Sequence, residues 1–219
     1  MNSRLKMFFV ASSCYFSIFL DCAAEVDLVI ILDSSTSVTG SNFKLMKNFV
    51  NELLSNADID SGNARVGVVI YSTNVQVEFQ LNKYHSNADV EKAVNDIAYI
   101  YGSTNTAGAI TKMRKEMFTP RNGDRPGVPN IAVIITDGIS NINSRQTVKE
   151  AIAARDDDNI HIYTIGIGLA DTRELDGMAS PPIENNRFNV QSFDELKGFD
   201  RKIFQAICKG NFDNSICIY

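Results

Sequence analysis

The chain has 219 residues, of which 44% are hydrophobic, and its formal net charge at pH 7 is −5. A chain of this length and composition can bury a sizeable core, so we expect a folded globular domain. The negative net charge argues against a nucleic-acid-binding surface. The sequence contains no internal repeat and no tract of low complexity that would divide the chain into several units.

The first two dozen residues have the pattern of a secretory signal peptide. Arg4 and Lys6 form a basic start, residues 7–20 are largely apolar, and two alanines precede position 25. We therefore predict a signal peptide over residues 1–24, a folded domain over 25–208 and a short tail over 209–219. The mature protein is expected to be secreted and extracellular, without a stable membrane anchor, because no second long apolar segment follows. An uncleaved signal anchor is the competing interpretation.

Beyond residue 25, apolar runs and amphipathic segments alternate along the chain. The sequence predicts a strand at 27–32, a helix at 42–54, a strand at 65–71, and a strand at 75–81 whose alternating pattern is typical of an antiparallel edge. Helices at 89–99 and 107–117 precede a strand at 131–136, and a helix at 145–155 precedes strands at 160–167 and 188–190. A last helix is predicted from an apolar stripe that we assign to core packing: Phe193, Leu196, Phe199, Ile203, Phe204 and Ile207. This alternation predicts a doubly wound α/β fold with a mostly parallel central sheet, one antiparallel edge strand and helices on both faces.

Carboxyl and hydroxyl side chains follow the first predicted strand. Asp33, Ser35 and Ser37 alternate along the chain there, so a tight turn can point all three to one side. A second buried strand also ends in an acid, Asp137. Open α/β sheets place their ligands at such strand ends, and these oxygen donors suit Mg²⁺, Ca²⁺ or Mn²⁺. Taken alone, the first segment fits equally well a turn that caps the next helix.

With Thr104, in the loop at 102–106, these residues resemble the metal-ion-dependent adhesion site of a von Willebrand factor type A domain. The segments 64–72 and 163–168 are similar to the extracellular-matrix branch of that family, the matrilins and the A domains of collagens. The resemblance covers about residues 26–208. It implies that a divalent cation, Mg²⁺ first with Mn²⁺ or Ca²⁺ as alternatives, is held by Asp33, Ser35, Ser37, Thr104 and Asp137. It also implies that an acidic side chain of a partner protein completes the coordination of the ion.

Two functions are compatible with this pattern. The first is a secreted adhesion module that engages an acidic side chain of an extracellular protein, such as a collagen-like or other matrix component, through the cation. The second is a structural component of a fibrous or mineralised matrix, in which the metal site is secondary to assembly. We do not expect an enzyme. The two histidines, His85 and His161, are predicted to lie in a surface loop and in a structural strand, and the sequence has no glycine-rich nucleotide-binding loop.

The remaining charged segments are predicted to face solvent. Three successive aspartates at 156–158 close a helix, and Glu174 and Asp176 fall in a short helix. Residues 121–126 form a polar loop that a turn explains.

The four cysteines leave two disulfide pairings open. Cys14 lies in the predicted signal peptide. Cleavage after Ala24 would also remove Cys22 and leave Cys208 and Cys217 to pair in an oxidising compartment, which is the arrangement we favour. The family resemblance instead implies a bridge from Cys22 to Cys208 that joins the two ends of the domain. That bridge requires cleavage upstream of Cys22 and leaves Cys217 free to form a disulfide-linked oligomer.

Overall fold

The computed structural model describes residues 25–212, and side chains through residue 207. Six strands form one sheet in the order β3-β2-β1-β4-β5-β6. The strands are β1 (Val26–Asp33), β2 (Ala64–Tyr71), β3 (Val75–Phe79), β4 (Asn130–Thr136), β5 (Ile160–Ile167) and β6 (Arg187–Val190). Edge strand β3 runs antiparallel to β2, and the other neighbouring strands are parallel. The predicted mostly parallel sheet with one antiparallel edge strand is confirmed.

Helices cover both faces of this sheet, as in a doubly wound fold. They are α1 (Thr39–Leu54), α2 (Asn87–Asp96), α3 (Thr106–Lys112), α4 (Ser144–Asp156), α5 (Arg173–Met178), α6 (Ile183–Asn186) and α7 (Asp200–Phe212). Alternate residues of β1 pack against the helices on opposite faces of the sheet, because successive side chains of a strand point to opposite faces. Leu28 and Ile30 pack in the core beneath α1, α2 and α7, whereas Val29 and Ile31 pack beneath α3, α4 and α5.

Several helix boundaries differ from the prediction. Helix α1 begins at Thr39 rather than at residue 42, and α3 ends at Lys112, where a π-helical turn at Met113–Met117 follows it. Helix α2 ends at Asp96 rather than at residue 99, because Ile97 adopts an extended conformation and leads the chain towards the end of β1. The last apolar stripe is divided between a 3-10 turn at Phe193–Leu196 and helix α7, which begins at Asp200 after Gly198 turns with φ +81°. The stripe still packs against the core, so its assignment to core packing is confirmed.

The polar loop at 121–126 does more than turn the chain. Its Arg125 donates from the backbone N and from Nε to the two carboxylate oxygens of Asp27, at 2.7 and 2.8 Å. The guanidinium also donates to the carbonyl oxygens of Val26, Gly62 and Asn63 at 2.8–2.9 Å. Asp27 is fully buried. This cluster therefore joins the starts of β1, β2 and β4 at the end of the sheet opposite to the predicted metal site.

The acidic corner at 156–158 is likewise not simply solvated. Asp158 and Glu150 both form ion pairs with Arg114, whose side chain is largely buried. The corner therefore ties α4 to the π-helical turn at Met113–Met117 that follows α3.

Several predictions concern parts of the chain that lie outside the described residues. These are the signal peptide, residues 213–219 of the tail, Cys14, Cys22 and Cys217, and the side chain of Cys208. The first four residues of the predicted tail, 209–212, instead continue helix α7. Both disulfide pairings therefore stay predictions. Within residues 25–212, none of the helices has the length and apolar character needed to cross a membrane.

Candidate metal centre

The predicted ligands lie where two adjacent parallel strands end. Asp33 is the last residue of β1, and Asp137 directly follows β4. These strands are neighbours in register, with Leu32 opposite Ile135. Because parallel strands present their carboxyl ends at the same edge of a sheet, the two acids meet there.

A network of hydrogen bonds shapes the turn after β1. The backbone N of Ser35 donates to Asp33 Oδ1 at 2.8 Å. Ser34 is buried, and its Oγ accepts a hydrogen bond from the backbone N of Ile100 at 2.9 Å. The Tyr99 hydroxyl donates to the carbonyl oxygen of Ser35 at 3.0 Å. The extended segment after α2 therefore holds the turn in place.

The structure brings the five predicted side chains together. Ser35 Oγ and Ser37 Oγ are 3.1 Å apart, and Ser37 Oγ donates to Asp137 Oδ1 at 2.7 Å. Thr104 lies nearby, since both Ser37 Oγ and Thr104 Oγ1 flank Gly138: a Cβ atom on this glycine would lie 3.7 Å from the first and 3.9 Å from the second. Two carboxylates and three hydroxyls thus converge from three segments of the chain.

Further contacts fix the loop that carries Thr104. Its backbone N donates to Asn141 Oδ1 at 2.9 Å. Its carbonyl oxygen accepts from Ser140 Oγ at 3.2 Å and from the backbone N of Asn141 and of Ile142 at 3.0 and 3.1 Å. The loop after α2 and the loop after β4 therefore form one connected unit around the site.

The site concentrates negative charge in a buried place. Asp33 is fully buried, and burial raises its pKa despite hydrogen bonds from Thr136 and Ser35 that favour the carboxylate. Burial also raises the pKa of Asp137, and the nearby charge of Asp33 raises it further. Among the described side chains, neither acid forms a salt bridge.

This donor set fits a divalent cation. A buried carboxylate is costly unless a positive charge or a metal ion compensates it. Asp33 and Asp137 lack a basic partner among residues 25–207, and the three hydroxyls beside them are hard oxygen donors of the kind that Mg²⁺, Mn²⁺ and Ca²⁺ accept. The residues present therefore suit the ion that the sequence predicts.

Sequence reasoning missed the residues that orient these ligands. Thr136 donates from Oγ1 to Asp33 Oδ2 at 2.6 Å. The buried Tyr71 hydroxyl lies 3.4 Å from the same oxygen, and burial together with the charge of Asp33 raises the pKa of this phenol well above its ordinary value. Thr136 could have been suspected because it precedes Asp137, whereas nothing in the sequence indicates that Tyr71 or Asn141 lies near the site.

The predicted surface position of Glu174 is wrong. The side chain is half-buried, and its Oε1 accepts a hydrogen bond from the backbone N of Ser140 at 2.8 Å. Burial raises the pKa of Glu174, against the effect of that hydrogen bond. The residue supports the loop after β4 from the side of α5.

The two histidines lie apart from this site. His85 is exposed in the loop between β3 and α2, as predicted. His161 lies near the start of β5, at the opposite end of the sheet, and burial lowers its pKa.

Comparison with curated proteins finds relatives among matrix proteins. The chain is 32% identical over 185 residues to matrilin-1 of Gallus gallus, an alignment that covers 84% of this chain and 37% of the relative. It is 35% identical over 186 residues to matrilin-4 of Homo sapiens, with 84% and 29% covered. It is 31% identical over 188 residues to the collagen alpha-4(VI) chain of Mus musculus, with 85% and 8% covered. The chain thus spans well under half the length of these relatives.

Solved structures show the same architecture. Proximal thread matrix protein 1 from the mussel byssus superposes with a TM-score of 0.79 at 26% identity, covering 84% of this chain and 48% of that one. A second structure of that protein, described with a zinc-occupied metal-ion-dependent adhesion site, gives a TM-score of 0.77 at 26% identity, with 86% and 47% covered. The family model of the von Willebrand factor type A domain matches residues 27–202. The chain therefore belongs to the von Willebrand factor type A domain family, and its relatives come from the extracellular-matrix branch.

Proposed function

We propose that this protein is a secreted adhesion module that engages an acidic side chain of an extracellular protein partner through a divalent cation. Mg²⁺ is the first candidate, with Mn²⁺ or Ca²⁺ as alternatives. The ligands would be Asp33, Ser35, Ser37, Thr104 and Asp137. One observation carries the proposal: the two carboxylates are buried or half-buried without a basic partner in the described chain, and three hydroxyls converge on them.

The balance of charged and neutral ligands supports adhesion. Two carboxylates balance the charge of a divalent ion. The three hydroxyls are neutral ligands that donate less electron density than further carboxylates would, so the ion stays electrophilic. When bound, such an ion supplies a Lewis-acidic position that accepts a carboxylate oxygen from outside. The chain's own part is to keep Asp33 ionised and oriented through Thr136 and the backbone N of Ser35, and to leave Ser37 exposed at the opening.

The relatives support the extracellular setting of this proposal. The matched proteins are matrilins, a collagen VI chain and a thread matrix protein. The neighbour with zinc in its metal-ion-dependent adhesion site supports a divalent cation as the ligand of this site. A collagen-like or other matrix component is therefore the class of partner that we propose.

The thread matrix protein also favours a second candidate function, assembly within a fibrous matrix. In that case the domain would act as a building block, and a Cys217-linked oligomer or a second face would carry the contacts. Binding that survives metal removal would favour this alternative.

Calorimetric titration with Mg²⁺ or Mn²⁺ tests the metal site. We expect one site that Asp33→Ala and Asp137→Ala abolish. Asp171→Ala is the matched control, because Asp171 is another acid at the same end of the sheet that pairs with Arg173. The assignment is wrong if the first two variants bind the ion as well as the parent protein does.

Adhesion itself is tested with immobilised collagen-like peptides that carry a Glu. We expect binding in Mg²⁺ that EDTA removes and that readdition of Mg²⁺ restores. Retention of the peptides in EDTA would contradict the adhesion proposal, whatever the calorimetry shows.

A further inference from the structure

Large apolar side chains are exposed at three places in the described part of the chain. Tyr101 is 70% exposed, Ile139 is 49% exposed and Ile152 is 42% exposed. Tyr101 lies three residues before Thr104, and Ile139 lies two residues after Asp137. Two of the three thus belong to the loops that carry candidate metal ligands, whereas Ile152 lies in the middle of α4.

The backbone of Tyr101 is unfavourable for folding. Its φ is +36°, a region in which a bulky side chain is a true outlier and costs free energy. Since the side chain is mostly exposed, its packing is confined largely to one tilted contact with the Tyr99 ring and compensates little of this cost. Folding therefore gives little reason for a tyrosine at this position, and strain of this kind gathers at functional sites.

The loop presents Tyr101 in a fixed place beside the metal site. The carbonyl oxygen of Gly102 accepts from the backbone N of Thr36 at 2.9 Å, and the Gly102 N donates to Thr36 Oγ1 at 3.0 Å. The ring of Tyr101 lies 6.3 Å from that of Tyr99, whose hydroxyl holds Ser35. Tyr101 is therefore coupled to the turn that carries two ligands.

Ile139 is presented in a similar way by the loop after β4. The next residue, Ser140, is held by Glu174 through its backbone N and by the carbonyl oxygens of Thr104 and Ile142 through its Oγ. The loop is thus anchored beneath Ile139 while the isoleucine side chain stays half exposed.

The three loops that carry the candidate ligands contain almost no charged side chains. The three loops 34–41, 99–106 and 137–144 contain no Lys or Arg, and their one acid is Asp137. Apart from the cation, this face offers a partner hydroxyl groups, amides, and the two apolar side chains. Within these three loops a second acid on the partner would find no positive charge, and Arg173, at the same end of the sheet, is already paired with Asp171. A basic residue on the partner would compete with the ion for the same carboxylates.

We propose that Tyr101 and Ile139 form an apolar rim around the ion, and that the partner is a segment with one carboxylate flanked by apolar side chains. This inference rests on the proposed function, because the carboxylate is taken to bind the ion. The ion supplies the charge complementarity, and the rim selects among acidic partners. Exposed apolar residues at the centre of a contact, an aromatic one above all, are the kind that carry most of the binding free energy.

The test is selection from displayed linear peptides that share a central Glu and have randomised flanks. Selection uses the full mature chain with Mg²⁺ and again with EDTA. We expect Mg²⁺-dependent enrichment of apolar residues next to the Glu. The variants Tyr101→Gly and Ile139→Ser should weaken the best peptide, the first by roughly tenfold or more. Ile152→Ser, the matched control, should bind as the parent does.

Tyr101→Gly also distinguishes a loss of peptide binding from a loss of folding stability. Glycine tolerates a positive φ, so this variant should unfold at the same or a higher urea concentration than the parent while it binds the peptide more weakly. Mg²⁺-dependent capture of Glu peptides without apolar enrichment, or unchanged binding by both rim variants, overturns the rim and leaves the adhesion proposal standing. Failure to capture any Glu peptide in Mg²⁺ overturns both.

Discussion

Thr136→Val isolates the contribution of one hydroxyl beside the proposed metal site. Thr136 is buried at the end of β4, and its Oγ1 donates to Asp33 Oδ2 at 2.6 Å. Valine has nearly the same shape and keeps the strand propensity, so the substitution removes the hydroxyl and little else. The same hydroxyl donates to the carbonyl oxygen of Gly138 and accepts from its backbone N, at 3.0 and 3.2 Å. The effect should therefore report on the orientation of Asp33 and of the loop after β4 rather than on packing.

The structure sets the size of the expected effect. A hydrogen bond to a charged group contributes about 1.5–3 kcal/mol, and about 1.4 kcal/mol changes an equilibrium constant tenfold. Loss of a group that orients a metal ligand lowers metal affinity about 10–100-fold. Because the Ser35 backbone N still donates to the other oxygen of Asp33, we expect the lower part of that range, about 10–30-fold.

Calorimetric titration of Mg²⁺ measures this change, and urea unfolding of the metal-free protein supplies a second reading. The free energy of unfolding of the variant should be about 1–3 kcal/mol lower than that of the parent, because the buried carboxylate of Asp33 loses a hydrogen-bond donor. Thr147→Val is the matched control. Thr147 is fully buried in α4, and its Oγ1 has no hydrogen-bond partner among the described residues. Equal Mg²⁺ affinity in the two variants would refute the role assigned to Thr136.

Two further predictions concern stability away from the metal site. Arg125→Met should lower the free energy of unfolding by about 3–5 kcal/mol in urea titrations, because it leaves Asp27 buried without its partner. Lys92→Met, which removes one partner of an exposed ion pair, is the control. The prediction is contradicted if Arg125→Met lowers the free energy of unfolding by less than Lys92→Met does. Burial raises the pKa of Glu78, so the folded state binds protons more tightly than the unfolded chain and stability falls as pH rises through that pKa. Glu78→Gln should therefore stabilise the protein at pH 7 and leave it unchanged below the ordinary pKa of Glu; an equal effect at both pH values would exclude this cause.

The parts of the fold that could be predicted depend on local pattern. The continuous apolar runs of β1 and β4 mark strands buried on both faces, and each ends abruptly in an acid. Once both are recognised as neighbouring parallel strands, the approach of Asp33 and Asp137 follows from geometry. Thr104 is different, because only the family resemblance, and no periodicity, associated it with these acids.

The residues that support the site could not be predicted, because their contacts join segments far apart in the sequence. Asn141 reaches the backbone of Thr104, and Tyr99 reaches back to the turn after β1. The early end of α2 has the same origin. Helical periodicity continues past Asp96, but the chain leaves the helix there, and the extended segment beyond it places Tyr99 at the site. Local propensity is overridden by contacts that a single sequence does not display.

Charge determines the kind of recognition that this face can perform. The loops around the ligands lack Lys and Arg, and the chain as a whole carries a net charge of −5, so an acidic partner gains no attraction from a distance. Beyond about 8 Å, physiological salt screens even the field of a bound ion. Under the proposed function, recognition is then short-ranged, formed by the ion and the apolar rim after the surfaces have met. Partners that share a carboxylate but differ in flanking residues should consequently associate at similar rates and differ in how slowly they dissociate. That behaviour suits a module whose partner is already held nearby in a matrix, where slow release matters more than fast capture.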